Sequence, residues 1–373
     1  MKTVTLYTTS KCNIRCKHCG VGLDQDNPRS QQTTNDLKKV ISELASGGTK
    51  FITILGGEAT IYRNDLPIIL DHAEEVGIKV SVNTNLTSWK PIESIIEKPS
   101  LNSFIISLDG STATTHDANR GKGTFEKTVK NLKKLSEHNR IQNKSLYLEI
   151  AFVMTGINFH EASTMLTLAK QFNASYLNVK NVKMIGRAMM FSDLLGFNHQ
   201  QLLDTYTSLI LNWMLSDRCF ELEVFIPPAY AEFLNFRFGL GLPTSYHPAC
   251  GGTDVFSYVD LYGNHLPCPA MSYEEKPNTG FSKKIKDLNL IDGDIFTSFE
   301  SQLFNHFEEN RKNRTYKEQL FPCRFCKYNN QCQQCVAEIV SGAKEEVIDI
   351  CSALYYHGND FIPNFREGVW INQ

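Results

Sequence analysis

An alternation of apolar, β-branched runs with longer mixed segments constrains the fold of this chain more than any other feature of its sequence. Six runs are typical of strands, and they lie at 4–8, 51–55, 79–83, 103–108, 146–154 and 176–184. Helical segments lie between them, for example at 34–45, 66–76, 125–138 and 160–172. Strands that alternate with helices form parallel sheets through right-handed crossovers. We therefore predict an α/β fold, a partial (β/α)6 barrel of TIM type with its active site at the carboxyl ends of the strands.

The length of 373 residues exceeds one typical domain, so a smaller second module is expected. We predict the barrel at 1–197, a helical connector at 198–244, a cysteine-rich module at 245–360 and a tail at 361–373. Helices are expected in the connector at 200–215 and 228–238. The first barrel helix is expected to take Thr34 or Asn35 as its N-cap.

Polar residues occupy one face of several predicted strands. Residues two apart on a strand share a face, because successive side chains point to opposite sides. The polar faces comprise Ser81, Asn83 and Asn85, then Ser107 and Asp109, then Glu149, and finally Asn178 with Lys180. A packed barrel core would carry Val, Ile or Leu there, so the pattern favours a polar chamber. The alternative is that some of these side chains point outward at strand ends.

Composition argues against several classes of partner. Lysine and arginine number 38 and aspartate and glutamate 40, and a net charge of −2 favours neither nucleic acid nor a membrane surface. The N-terminus lacks an apolar signal region, and no stretch approaches the ~18 consecutive apolar residues of a membrane span. We expect a cytoplasmic protein whose eleven cysteines serve mainly as metal ligands rather than in disulfides. Cys219 stands alone and is predicted to be a buried free thiol.

Three cysteines follow the first predicted strand. Cys12, Cys16 and Cys19 have the spacing C-x3-C-x2-C on one short loop. Three thiolates can hold three irons of a [4Fe–4S] cluster and leave the fourth iron open to another ligand. The alternatives are inert thiols or a zinc site, for which His18 is available as the fourth ligand that zinc requires. The open iron of a cluster would make this loop the catalytic centre.

The triad and a second motif together resemble the radical S-adenosylmethionine (SAM) superfamily. Gly56-Gly57-Glu58 ends the second predicted strand, with Ala59 where that family usually has proline. The resemblance implies that the three cysteines hold a [4Fe–4S] cluster whose open iron is chelated by the methionine amino and carboxylate groups of SAM. One electron then yields a 5′-deoxyadenosyl radical, which takes a hydrogen atom from the substrate. The resemblance also implies that the two glycines let the backbone approach the methionine end and that Glu58 accepts from its ammonium group.

Further residues match the SAM-binding pattern of this superfamily. They are Asn83, Asn85, Ser107, Asp109, Arg120 and Asn158. By this resemblance Arg120 pairs with the methionine carboxylate, for which a planar guanidinium is suited. The same resemblance lets Asn83 and Asn85 reach the ribose, and it covers the turn 185–187 more weakly. A structural ion pair involving Arg120 or Asp109 is the alternative.

Seven cysteines form a second block, which is similar to the SPASM module of peptide-modifying radical SAM enzymes. They are Cys250, Cys268, Cys323, Cys326, Cys332, Cys335 and Cys351. The resemblance implies two auxiliary [4Fe–4S] clusters, and so three clusters in the chain. It assigns Cys323, Cys326, Cys332 and Cys351 to an outer cluster, and Cys250, Cys268 and Cys335 to an inner one. The family usually has C-x3-C where Cys332 and Cys335 form C-x2-C, and a zinc fold is the alternative for this block.

The inner auxiliary cluster has only three cysteines by this assignment. Its fourth iron is then either open to substrate or held by a ligand such as Asp254, Asp260 or His265. An open iron could bind substrate directly, whereas a closed cluster could only pass electrons.

The expected function is oxidative maturation of a ribosomally made peptide. The radical would take a side-chain hydrogen, and the product would close a C–C or heteroatom crosslink, the cyclophane type included. The expected partners are a precursor peptide and an external one-electron donor of flavodoxin or ferredoxin type. A separate leader-binding partner is also considered, because the barrel begins within a few residues of Met1.

Three alternative functions stay open. An anaerobic sulfatase-maturating enzyme would oxidise Cys or Ser to formylglycine, but Pro269 follows Cys268 where those relatives have aspartate. A small-molecule radical SAM dehydrogenase would carry a shorter module with one auxiliary cluster. A non-enzymatic iron–sulfur electron carrier would not need the Gly56-Gly57-Glu58 motif.

Overall fold

The strands of this chain form one sheet that begins at the N-terminus and is extended by later segments. The computed structural model describes residues 3–20, 32–62, 64–142, 146–244, 252–253, 255–269, 286–312, 322–323, 326, 328 and 350–358. In these residues the strands are β1 Thr3–Tyr7, β2 Phe51–Leu55, β3 Lys79–Thr84, β4 Leu101–Ser107, β5 Tyr147–Met154, β6 Tyr176–Asn181, β7 Glu221–Glu223, β8 Phe256–Val259 and β9 His265–Leu266. Their order in the sheet is β7-β6-β5-β4-β3-β2-β1-β8-β9.

Helices connect the strands and cover one side of the sheet. The α-helices are α1 Thr34–Ser46, α2 Leu66–Glu75, α3 Lys90–Glu93, α4 Ala113–Arg120, α5 Thr124–Gln142, α6 Thr164–Gln171, α7 Ser192–Leu195, α8 His199–Met214, α9 Pro228–Phe238, α10 Ile295–Phe299, α11 Gln302–Lys312 and α12 Ile350–His357. Short 3-10 helices lie at Ala59–Tyr62, Phe159–Glu161 and Gly186–Phe191. The described part of the chain contains no helix long and apolar enough to cross a bilayer.

The six predicted strands are confirmed as β1 to β6, and each pairs in parallel with the next. Consecutive parallel strands require crossover helices on one side, which places the carboxyl ends of all six strands at one edge. The predicted partial barrel fold is therefore confirmed, with its candidate site at that edge.

Three short strands extend the predicted sheet. β7 lies in the predicted helical connector, between α8 and α9, and pairs in parallel with β6. β8 and β9 come from beyond residue 245; β8 pairs in parallel with β1, and β9 returns antiparallel to β8. The sheet thus runs across the boundary predicted at 245, while the domain limits themselves stay a prediction.

The two faces of the sheet differ in polarity as the strand pattern predicts. On β5, Leu148, Ile150, Phe152 and Met154 are at most 1% exposed and belong to the main hydrophobic core under the helices. Glu149 alternates with them and lies on the opposite face. Replacing a fully buried phenylalanine such as Phe152 by alanine would cost about 3–5 kcal/mol of folding stability. The polar chamber is the face that this core does not cover.

The described parts of the cysteine-rich region pack on the same body. Helix α12 contacts α8 and α9, and Ile350 and Leu354 on α12 belong to the main core together with Cys326 and Tyr328. The β8–β9 hairpin turns at Gly263, whose φ of +84° favours glycine and whose missing Cβ leaves room for Ile291. The hairpin turn thus requires a glycine five residues before Cys268.

Candidate active site

The three cysteines of the first motif lie on the loop that leaves β1 at the carboxyl edge of the sheet. Cys16 is buried, while Cys12 and Cys19 are half-buried. Burial, together with neighbouring negative charge, raises the pKa of Cys12 to about 11 and that of Cys16 to about 12. These thiols would be protonated at neutral pH without metal, so binding of iron would release protons. A triad sequestered in this way fits a buried metal cluster better than an exposed thiol site.

The glycine pair after β2 lets this loop pack against the strand. A Cβ on Gly57 would overlap the carbonyl oxygen of Lys11 and lie 2.5 Å from that of Ser10, and one on Gly56 would lie 2.7 Å from that of Thr9. The Gly57 N–H donates to the Thr9 carbonyl at 2.6 Å. The glycines were predicted to make room for the methionine end of SAM. The structure adds that they make room for the cysteine loop itself.

Two further backbone contacts hold the loop from its other sides. The Lys17 N–H donates to the Asn119 carbonyl at 2.9 Å, and the Arg187 N–H donates to the Cys19 carbonyl at 3.0 Å. Gly186 precedes this contact with φ +57°, and a Cβ there would overlap the carbonyl oxygen of Gly20. The loop is therefore positioned by α4 and by the segment after β6, as well as by β2.

Glu58 is a buried carboxylate held by neutral donors. Its Oε1 accepts from the Thr60 N–H at 3.1 Å, the Thr60 hydroxyl at 2.6 Å and the Thr84 hydroxyl at 2.7 Å, and its Oε2 accepts from the Asn85 N–H at 2.7 Å. The side chain is 3% exposed, and none of the ion pairs among the described residues includes it. A buried carboxylate without a cation favours a cationic ligand, and the methionine ammonium of SAM fits that requirement.

Asp109 and Arg120 form an ion pair beside Cys16. Arg120 Nε lies 2.5 Å from Asp109 Oδ2, and Asp109 Oδ1 accepts from the Val153 N–H at 2.7 Å. Burial opposes ionisation of Asp109, but Arg120 and His18 overcome it and hold its pKa below the usual value. Arg120 Nη1 lies 3.9 Å from Cys16 Sγ. Arg120 and Asp109 thus form the structural ion pair that was the alternative to SAM contact. The pair uses Nε of Arg120, so other guanidinium N–H groups can still donate to a carboxylate ligand.

His18 faces Asp109 from within the cysteine motif. Its Nε2 lies 3.2 Å from Asp109 Oδ2, and burial lowers its pKa to about 4. The ring is therefore neutral at pH 7, and its Nε2–H donates to the carboxylate. Among the described residues no three His, Cys, Asp or Glu side chains converge on one metal ion.

The other residues predicted to contact SAM differ in whether their side chains already make hydrogen bonds within the protein. Asn83 and Ser107 lie on the chamber face, and within the described residues their side chains make no hydrogen bond. Asn85 donates from Nδ2 to Asn13 at 2.8 Å. The Asn158 amide donates to the carbonyls of Asp109 and Val153 and accepts twice from Thr155, which ties β5 to the end of β4. All hydrogen-bonding groups of this amide are used within the protein, where they position the backbone. These bonds disfavour direct contact of Asn158 with SAM, which stays a prediction.

Four of the seven C-terminal cysteines are among the described residues. Cys268 follows β9, and Cys351 lies on α12. The Cys326 N–H donates to the Cys323 carbonyl at 3.0 Å, which closes a tight turn. Cys250, Cys332 and Cys335, as well as Asp254, lie outside the described residues. The predicted partition of these cysteines into two clusters stays a prediction.

His265 is engaged in the core, which contradicts the suggestion that it ligates the inner cluster. The Ser298 hydroxyl donates to the Ile295 carbonyl at 2.6 Å, so its oxygen accepts from His265 Nδ1–H at 2.7 Å. Nε2 in turn accepts from the Ser257 hydroxyl at 2.7 Å. Burial lowers the pKa of His265 to about 3, so the ring stays neutral and both nitrogens are occupied.

Asp260, the second suggested ligand, belongs to the β8–β9 turn. Its Oδ1 accepts from the backbone N–H groups of Tyr262 and Asn264, both at 2.9 Å, and its Oδ2 accepts from the Asn264 amide at 2.9 Å. These bonds fix the turn that carries the strand toward Cys268. The structure therefore gives Asp260 a role in the turn in place of the suggested ligand role.

Cys219 is exposed, so the prediction of a buried thiol is wrong. It lies between α8 and β7, next to Asp217, which pairs with Lys170 at 2.5 Å. Cys219 follows a polar surface turn and precedes β7, an edge strand of three residues. At this edge of the sheet its side chain lies outside the hydrophobic core and stays exposed.

The parallel sheet and the cysteine loop braced on glycines define a radical SAM domain. Residues 6–169 match the family described as the Radical SAM superfamily, which confirms the resemblance of the motifs. That region of the chain is thus a radical SAM domain. The residues present also fit the cofactors of this family, since the loop sequesters three thiols and Glu58 meets no cation in the part of the chain that the structure describes.

Two curated relatives show the range of the similarity. The AdoMet-dependent heme synthase of Methanosarcina barkeri (strain Fusaro / DSM 804) is 25% identical over 345 residues, which cover 88% of this chain and 89% of that protein. The mycofactocin maturase MftC of Mycolicibacterium smegmatis is 27% identical over 272 residues, which cover 71% of this chain and 64% of that protein.

Two solved structures share the fold. Streptococcus suis SuiB bound to S-adenosylmethionine superposes with a TM-score of 0.66 at 16% identity and covers 94% of this chain and 76% of its own. The protein anSMEcpe with bound AdoMet and Kp18Cys peptide gives a TM-score of 0.67 at 15% identity and covers 98% and 99%. The match extends beyond the barrel into the cysteine-rich region, so the chain shares the fold of these two proteins over most of its length.

Proposed function

We propose that this chain is a radical SAM oxidoreductase that abstracts a side-chain hydrogen from a ribosomally made peptide and forms a crosslink oxidatively. The observation that carries the proposal is Glu58, a buried carboxylate without a cation within contact of the cysteine loop. A site of this kind suits an amino acid headgroup such as that of SAM. The names of relatives support a peptide substrate, since MftC is a maturase and SuiB has been solved with a precursor peptide.

The residues that would hold the cofactors surround that carboxylate. Cys12, Cys16 and Cys19 would ligate the cluster, Glu58 would accept from the ammonium group and Arg120 would pair with the methionine carboxylate. When bound, the cluster supplies the electron that cleaves SAM to a 5′-deoxyadenosyl radical. The chain's own residues position the loop, neutralise the charges of the ligand and exclude water from the chamber.

A crosslink requires a net oxidation of the peptide. One C–H bond loses its hydrogen atom to the adenosyl fragment, and the partner group loses a proton as the new bond forms. The remaining electron would pass to an auxiliary cluster held by the C-terminal cysteines, and from there to an external carrier of flavodoxin or ferredoxin type. On this proposal the loaded protein holds three [4Fe–4S] clusters and about 12 irons per chain. A separate leader-binding partner would deliver the peptide.

Mass spectrometry of a peptide tests this function. The reconstituted protein would be incubated anaerobically with SAM, a reductant and short peptides encoded beside its gene. The proposal predicts a loss of two hydrogens from one peptide and a crosslink that survives proteolysis. Formation of formylglycine in a sulfatase peptide, or no mass change in any peptide, would contradict it.

Tetrapyrrole chemistry is the second candidate, because the heme synthase match covers nearly the whole of both chains. Heme formation would appear in the visible spectrum, whereas peptide crosslinking would leave that spectrum unchanged. The two functions are therefore separated by one assay with both substrates present.

A further inference from the structure

Two carboxylates lie on the chamber face of the strands farthest from the cysteine loop. Glu149 is on β5 and Glu223 on β7, and Asn178 of β6 lies between them. Asn178 pairs in register with Ala151, which pairs with Ser107. Asn178 therefore stands about 10 Å from Ser107, two strand spacings along the chamber wall.

The Asn178 amide fixes both carboxylates. Its Nδ2 donates to Glu149 Oε1 and to Glu223 Oε2, each at 2.9 Å. Because one amide nitrogen directs its two hydrogens about 120° apart, the two accepting oxygens lie about 5 Å from each other. We call Glu149 and Glu223, bridged by Asn178, the carboxylate pair.

The carboxylate pair contains acceptors and no cation. Among the described residues, no ion pair includes Glu149, Glu223 or Lys180, the lysine that follows on the same face of β6. Asn178 is 4% exposed, and its Oδ1 is buried without a hydrogen-bond donor. Burial and the charge of Glu223 raise the pKa of Glu149, although Asn178 and Lys180 oppose them. Lys180 thus acts on Glu149 from a distance, and no cation among the described residues lies within ion-pair distance of either carboxylate.

We propose that the carboxylate pair is a substrate-recognition site that binds the ammonium or guanidinium group of a lysine or arginine side chain in the peptide. The inference rests on the proposed function and adds the class of residue that the chamber selects. Charge-assisted N–H···O bonds of about 2.8 Å let one cation contact two carboxylate oxygens that lie about 5 Å apart. Glu223 is exposed, so the site opens to solvent along the β7 edge of the sheet.

The same charge disfavours a polyanionic substrate. A tetrapyrrole carries carboxylates that would meet Glu149 and Glu223 with like charge, and this repulsion disfavours its binding. A peptide with a basic side chain instead neutralises the pair. The site therefore distinguishes the two candidate substrates of this chain.

Peptide selection tests the proposal. A random heptapeptide library would be panned against the anaerobic, SAM-loaded protein, and the frequency of lysine and arginine among bound peptides would be compared with that of the library. We expect enrichment of basic residues at one or two positions, and a fall of about tenfold in E149Q/E223Q. The matched control E126Q/E137Q removes the same charge from two exposed positions on α5, away from the pair, and should retain the enrichment.

Two measurements keep the test separate from folding and from the proposed function. The electron paramagnetic resonance (EPR) signal of the cluster should match the parent in both double variants, and the rate of SAM cleavage should match the parent in the control variant. No enrichment of basic residues in the parent, or equal enrichment in E149Q/E223Q, would overturn the recognition site. Absence of SAM cleavage in the parent would contradict the proposed function while leaving the peptide selection readable.

Discussion

At the scale of single residues, the site contains two buried carboxylates with opposite requirements. Asp109 is fully buried and already neutralised by Arg120 at 2.5 Å. Glu58 is 3% exposed and accepts only from neutral donors. Burying a charge is costly unless it is paired. Glu58 therefore favours binding of a positively charged ligand. Asp109 instead neutralises and positions Arg120.

Replacing Glu58 by glutamine should weaken binding of SAM by tenfold or more, an effect of about 1.4 kcal/mol or above. The charge that meets the ammonium group is lost, while the cysteine loop keeps its three ligands. Anaerobic equilibrium binding measures the change. The exposed E126Q serves as control, and an unchanged affinity in E58Q would refute the role of Glu58.

Replacing Asp109 by asparagine should raise the reduction potential of the SAM-binding cluster by roughly 60 mV, about 1.4 kcal/mol for one electron. The Arg120 guanidinium next to Cys16 would then carry an uncompensated positive charge, which stabilises the reduced cluster. An EPR-monitored redox titration measures the potential. A lowered potential would show that Arg120 does not act on the cluster.

At the scale of elements, the cysteine loop depends on segments that are distant in sequence. The sequence predicts six strands and their helices, because each has a clear hydrophobic period. It does not predict β7, since Glu221–Glu223 is three residues long and mostly polar. It also places the cap of α1 at Thr34 or Asn35, whereas Thr33 caps it through a reciprocal bond with Asp36. Cap geometry depends on backbone angles that a sequence pattern leaves free.

Gly186→Ala should reduce the iron bound at the first cluster by more than Gly77→Ala does. Both glycines have positive φ, +57° and +76°, so both substitutions carry about 1 kcal/mol of backbone strain. Only Gly186 abuts the cysteine loop, where a Cβ would displace Gly20 and Cys19. Iron analysis and EPR after reconstitution measure the effect. Equal losses in the two variants would show that strain alone is responsible.

Asp117→Asn should destabilise the protein at pH 7 by about 1 kcal/mol through weaker capping of α5. Asp117 accepts from the N–H groups of Gly123 and Phe125 at 2.6 and 2.8 Å, and although burial opposes ionisation these bonds lower its pKa. A depressed pKa contributes stability that is complete above the unfolded value of about 3.9 and is lost below it. Thermal unfolding should show a constant deficit from pH 8 to pH 5 that shrinks toward pH 4. A deficit that grows on acidification would contradict this account.

At the scale of the whole molecule, one sheet joins the two cysteine blocks. β8 pairs with β1, whose end carries the first cysteine loop, and the β8–β9 hairpin leads directly to Cys268. The sequence indicates both blocks through their spacings but cannot indicate this pairing, because strands of two to four residues carry no period. The cysteine and glycine motifs also do not predict the similarity to a heme synthase, because they indicate the cofactors and not the substrate.

The central claim is that the loop of Cys12, Cys16 and Cys19 supports cleavage of SAM. Formation of 5′-deoxyadenosine and methionine by the anaerobically reconstituted protein with dithionite tests it most directly. The account predicts both products in equal amounts from the parent and from the exposed-thiol control C219A, and none from C16A. Equal product from C16A and the parent would contradict it.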